Sequence, residues 1–93
     1  MVKHIVLFNV KEGEDAVKVA AIAASVLEPL VGKIPGLIHA EVRKTFAGMD
    51  FALCCELESR EALDAYAVHP LHLEAKEHFF HLLSSRVSAD YEV

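Results

Sequence analysis

Tyr66, His69, Pro70 and His72 stand together as a Tyr-x-x-His-Pro-x-His cluster, and two of its members can work as an acid–base pair in an apolar pocket. A neutral imidazole accepts a proton, while a phenol hydroxyl donates a hydrogen bond to a carbonyl oxygen as negative charge gathers there. Such chemistry acts beside a carbonyl. Pro70 suits the first turn of a helix, which places His72 near the positive end of the helix dipole. That position lowers an imidazole pKa and keeps it neutral near pH 7. The break at His69-Pro70 reorients the chain so that Tyr66 and His72 can converge as the catalytic pair. His4 is in phase with Val6 and Phe8, so if that set faces the helices, His4, Val6, Phe8 and His69 line the pocket around the pair. The same residues also fit a purely structural role, as half-buried packing groups with satisfied polar tips. Both readings stay open on the sequence alone.

The other histidines read differently. His69-x-x-His72 and His78-x-x-His81 both have the i, i+3 spacing at which a helix can present two metal ligands. Phase separates them: His78 and His81 share a solvent arc with Glu74 and Glu77, whereas His72 aligns with Lys76, Phe79 and Leu83. A solvated face is the simpler account of His78 and His81, and no metal is expected. The small residues Ala16, Ala20, Ala23 and Ala24 either let their helix approach the sheet closely or leave a hollow for a ligand.

The elements that must position these groups follow from periodicity. Val2 to Val10 is apolar in both of its alternating sets, the mark of a strand covered on both faces. Glu14 to Val31 has helical phase, with Ala16, Val19, Ala20, Ala23, Leu27 and Leu30 on one arc. Pro29 should kink it or restart its last turn before Gly32 stops it. Ile34-Pro35-Gly36-Leu37 reads as a type II turn. Beyond it, Ile38, Ala40, Val42 and Phe46 alternate with His39, Glu41, Arg43 and Thr45, and Phe51, Leu53, Cys55 and Leu57 alternate with Ala52, Cys54 and Glu56, giving a hairpin. Ser59 to Ala62 caps a helix carrying Leu63 and Tyr66, and a second helical piece runs from Pro70 to about Ser84. Val87, Ala89, Tyr91 and Val93 then alternate with Arg86, Ser88, Asp90 and Glu92 as a last strand.

The order β-α-β-β-α-β is an α+β, ferredoxin-like arrangement, an antiparallel sheet with both helices on one face. The bare face would carry Ile5, Leu7, Ala52 and Cys54, too apolar for water, so a second copy should pack there as a homodimer. Composition agrees. A chain of 93 residues is read as a single domain, 1–93, and at 54% hydrophobic and 25% charged it packs a core rather than staying disordered. Alone it would bury only about 60–70% of its unfolded surface, which leaves apolar area over for a partner or a cavity. Nine Lys plus Arg against 14 Asp plus Glu give a net charge of −5 without any basic run, so nucleic acid is excluded as a partner. No apolar stretch approaches a membrane span and no signal-peptide pattern opens the chain. The adjacent Cys54 and Cys55 point to opposite faces of a strand and cannot form a relaxed disulfide together. A reducing, cytoplasmic location is expected.

The combination of Lys3-His4-Ile5-Val6-Leu7-Phe8, Ile34-Pro35-Gly36 and Glu61-Ala62-Leu63-x-x-Tyr66-x-x-His69-Pro70-x-His72 resembles the stress-responsive dimeric α/β-barrel (Dabb) family along the whole chain. The resemblance implies a ferredoxin-like protomer whose sheet joins a second one in a dimeric α/β barrel. Most members have no assigned activity. Plant polyketide cyclases of this fold are similar here. They use a Tyr and a His at the positions of Tyr66 and His72 for cofactor-free aldol closure of a linear polyketide, with the position of His4 lining the pocket. Some relatives are described with magnesium, but no carboxylate pair here is placed to hold it. Two functions of different class follow. One is a cofactor-independent lyase or cyclase acting on a carbonyl-bearing, polyketide-like molecule. The alternative is a noncatalytic, stress-associated dimer that binds a small apolar ligand. A monooxygenase-like activity rests on fold analogy alone and ranks behind both.

Overall fold

A computed structural model describes residues 1–93. Its elements are β1 (Val2–Val10), α1 (Ala16–Leu27), β2 (Leu37–Lys44), β3 (Phe51–Leu57), α2 (Arg60–Val68), α3 (Pro70–Glu77) and β4 (Leu83–Glu92). The strands form one antiparallel sheet in the order β2-β3-β1-β4, and the fold is ferredoxin-like α+β. β1 lies inside the sheet because both of its alternating sets are apolar. Val2, Val6 and Phe8 are buried beneath the helices, together with Phe51, Leu53, Cys55 and Leu57 of β3 and Val19, Ala23 and Leu27 of α1. Direct cross-strand partners share a face. The other face therefore gathers Ile5 with Cys54 and Ala89, and Leu7 with Ala52 and Val87. No helix is long and apolar enough to cross a membrane.

Three element boundaries depart from the sequence expectation. α1 starts under the Asp15 side chain, which accepts from the Val17 and Lys18 amides. It stops at Leu27 rather than Val31, because Pro29 draws Glu28–Leu30 into a tighter 3₁₀ turn. In β2 the inward set is Leu37, Ala40 and Val42. An irregularity in pairing between Leu37 and His39 turns Ile38 outward, and Phe46 lies beyond the strand, fully exposed. A period-two pattern cannot reveal a one-residue slip between two apolar neighbours.

The third departure matters most for the site. α3 ends at Glu77 rather than near Ser84, and Phe79 leaves helical geometry at φ −141°, ψ −15°. The turn sets both Phe79 and Phe80 edge-on to Phe8, at ring distances of 6.0 and 6.5 Å. β4 then begins at Leu83, already paired with Val10.

Gly36, at φ +84°, makes the turn expected before β2. A Cβ added there would come within 2.6 Å of the Ala62 Cβ, whereas Gly48, also at φ +84°, faces open space. Gly48→Ala should therefore lower unfolding free energy by about 1–2 kcal/mol, the strain of a left-handed residue alone. Gly36→Ala should lose clearly more, because α2 must shift as well. Urea denaturation of the two variants checks the ordering, and equal losses would show that α2 yields without resistance.

Candidate functional site

His69 is both the last cap of α2 and the first cap of α3. Pro70 has no N–H, and its ring keeps the preceding residue extended, at φ −64°, ψ 135°. A helix interrupted in this way leaves peptide groups without partners. Two imidazoles supply them. His69 Nδ1 accepts from the Leu71 amide at 3.1 Å, and His72 Nδ1 lies 3.3 Å from the Ala67 carbonyl oxygen. A carbonyl oxygen only accepts, so Nδ1 of neutral His72 carries the hydrogen and Nε2 keeps the lone pair. His69, expected on the pocket wall, instead caps the helix and does not line the cleft described below.

The bend brings Tyr66 and His72 together. Their rings stack at 4.2 Å with 30° between planes, and His4 meets Tyr66 edge-on at 6.3 Å. Tyr66 is almost wholly buried, at 1% exposure. Its hydroxyl accepts from the Cys55 thiol at 3.9 Å, and no hydrogen bond joins it to His72. Burial pushes the Cys55 thiol up to about 12, and it raises Tyr66 well above the ordinary phenol value. Both groups stay neutral, behind the ring of His72.

His4, Val6 and Phe8 of β1 and His72 of α3 line one narrow cleft with Phe79 and Phe80, its volume about 30 Å³. Lys76 and Arg86 complete its rim. His4 Nδ1 is paired with the Asp90 carboxylate, which can only accept when ionised, so this nitrogen also carries a hydrogen. Tyr66 is not part of the lining: it holds His72 from behind. A roomier depression, about 340 Å³, opens near Arg60, Asp64, Asp90 and Glu92. It is spanned by the Arg60–Glu92 ion pair and holds no imidazole, so size alone does not make it the site.

Sequence reasoning missed Asp90 and Arg86 as site residues. The signal was present in the alternation of Arg86, Ser88 and Asp90. Using it required the β1–β4 register, which sets Arg86 opposite Phe8 and Asp90 opposite His4. His78, which caps the end of α3, and His81, in the following turn, are exposed, and no group of three His, Cys, Asp or Glu side chains converges anywhere.

The arrangement defines a class: a ferredoxin-like α/β sandwich with a small cleft between helices and sheet, walled by aromatic rings and two imidazoles. The chain belongs to the family described as the Stress responsive A/B Barrel Domain, whose model matches residues 2–93. Similar solved structures include a dimeric protein of unknown function with a ferredoxin-like fold from Bacteroides fragilis. It is 28% identical with a TM-score of 0.89, the match covering 99% of this chain and 95% of that one. A dimeric ferredoxin-like protein of unknown function from Jannaschia is 25% identical at a TM-score of 0.83, over 99% and 98% of the two chains. A protein from Arabidopsis thaliana is 25% identical at 0.85, over 100% and 95%. No curated protein matches the chain.

Burial lowers the pKa of His72 to about 4, the Ala67 hydrogen bond opposes that shift, and the neighbouring charges of Lys76, His4 and Arg86 add to it. The helix dipole invoked from the sequence is not the leading cause. The ordinary value of 6.5 lies above the folded one, so the unfolded chain binds more protons between these limits. Stability from this group is therefore complete above pH 6.5, falls as pH drops toward 4, and levels off below it. The side chain is partly open to solvent, which reduces the effect to about 1–2 kcal/mol. Wild type should lose that much more than His72→Gln between pH 7 and pH 4 in parallel urea titrations, and superimposable pH profiles would refute the shift.

Proposed function

We propose that this protein is a cytoplasmic, single-domain homodimer that closes small carbonyl compounds by cofactor-independent lyase or cyclase chemistry, with His72 as proton acceptor. The observation that carries the reading is the neutral, oriented imidazole of His72 in the cleft wall, with Nδ1 tied to Ala67 and Nε2 left as the base. A base of pKa about 4 is too weak for a simple ketone. It suits the far more acidic C–H between two carbonyls, as in a linear polyketide. Nε2 takes that proton, the electron pair moves onto a carbonyl oxygen as an enolate, and the enolate carbon bonds to a second carbonyl carbon of the same chain. The new alkoxide recovers the proton from His72, so the enzyme ends unchanged. The half-buried Phe80 ring carries the apolar body of the molecule above a floor of Val6 and Phe8, and His4, fixed by Asp90, borders the reacting oxygen. Tyr66 was a candidate oxyanion donor. With its hydroxyl on Cys55, it serves as a positioning residue whose ring sets the plane of His72.

Packing around Tyr66 is filled, and this favours a second reading, a noncatalytic module that binds a small apolar ligand in the same cleft. Cyclisation of a linear tetraketide thioester, followed by chromatography, separates the two. The enzyme reading requires a rate above buffer that falls about 100-fold or more in His72→Gln and less than about threefold in Tyr66→Phe, which keeps the ring stack. A loss in Tyr66→Phe as large as in His72→Gln would return the hydroxyl to the chemistry. Thermal stabilisation by the ligand without any turnover would establish the binding module.

The dimer forms through the open sheet face. Support comes from the dimeric description of the Bacteroides and Jannaschia relatives and from the apolar row of Ile5, Leu7, Val87 and Ala89 on that face. Two free cysteines fit a reducing compartment. Leu7→Glu should yield a monomer by sedimentation at micromolar concentration, and an unchanged dimer would place the interface elsewhere.

A further inference from the structure

Two cations sit at the rim of the His72 cleft in a chain whose formal charge is −5. Lys76 Nζ lies 4.8 Å from the centre of the Phe80 ring, and the Arg86 guanidinium carbon lies 5.7 Å from it. Separate elements deliver the three residues: Lys76 comes from α3, Phe80 from the 3₁₀ turn and Arg86 from β4. Neither charge is compensated. Arg43 holds Glu28 and Arg60 holds Glu92, but Arg86, the third arginine of the chain, holds no carboxylate, and Lys76 holds none either. Asp90, on the same side of β4 as Arg86, is engaged by His4. Two like charges over one ring repel each other, and an anion placed between them removes that repulsion.

We propose that the cleft takes a keto acid, a small carbonyl compound whose carboxylate is held by Lys76 and Arg86 beside Phe80. This rests on the cleft being the ligand site and narrows its substrate class. The guanidinium fork matches the two oxygens of a carboxylate and the lysine adds a point charge. The apolar body lies against the half-buried Phe80 ring, beside the two cations. His72 and Lys76 stand one helical turn apart, about 5–6 Å, so a carboxylate two or three carbons from the carbonyl reaches the cations while that carbonyl lies beside His72.

The test compares 3-benzoylpropionate with its methyl ester, which keeps shape and carbonyl but loses the charge, by titration calorimetry against the full chain. The acid should bind about tenfold more tightly than the ester at low salt, and the acid-to-ester ratio should fall toward one in both Lys76→Gln and Arg86→Gln. Equal binding of acid and ester, binding of neither, or a preference that survives both substitutions overturns the assignment. The result is separable from the catalytic reading. A clear preference for the acid in a protein that does not cyclise the tetraketide thioester supports this site and removes only the chemistry. Turnover without any preference for the acid removes only this site.

Discussion

The break between α2 and α3 is the constraint on which the site depends. A proline after His69 denies the helix one donor and keeps the preceding residue extended, so peptide groups of the last α2 turn and the first α3 turn lose their helical partners. Hydrogen bonding to two imidazoles satisfies them. In doing so it fixes which nitrogen of His72 is free and seats its ring on Tyr66. Peptide groups freed at a helix end are met by side chains or by water. Here the partner also decides the tautomer, so a structural requirement and a chemical one are met by the same bond.

The sheet supplies the floor. β1 sends His4, Val6 and Phe8 toward the helices and Ile5 and Leu7 toward the opposite face, so one strand contributes both to the cleft and to the surface assigned to the partner. Aromatic packing ties the far end of the roof to this strand: Phe8 stacks on Phe51 at 4.7 Å and meets Phe79 and Phe80 edge-on. The departure of Phe79 from helical geometry is the local expense of that cluster, and it also brings Phe80 to the cleft.

Much of this was legible in the sequence, and for identifiable reasons. The two-sided apolar pattern of β1, the turn at Gly36 and the interruption at Pro70 each have a single physical cause visible in residue type. The β-α-β-β-α-β order agrees with them, and the break lets Tyr66 and His72 converge without fixing the distance between their rings. What could not be read depends on contacts between distant parts of the chain. The outward turn of Ile38 requires knowing how β2 pairs with β3. The early end of α3 requires knowing that Phe8 waits for Phe79. The direction of the Tyr66 hydroxyl is set by Cys55, eleven residues away on another element, and the arrival of Arg86 at the rim is set by its register with Phe8.

β4 is a ten-residue edge strand, hydrogen-bonded to β1 on one side only. An edge of that length is a template for uncontrolled growth, in which further chains add strand upon strand. Arg86, Asp90 and Glu92 on its helix-side face act as gatekeepers. A parallel in-register copy would stack each charge on its own kind, so Arg86, which lines the cleft, also opposes growth of the sheet at this edge.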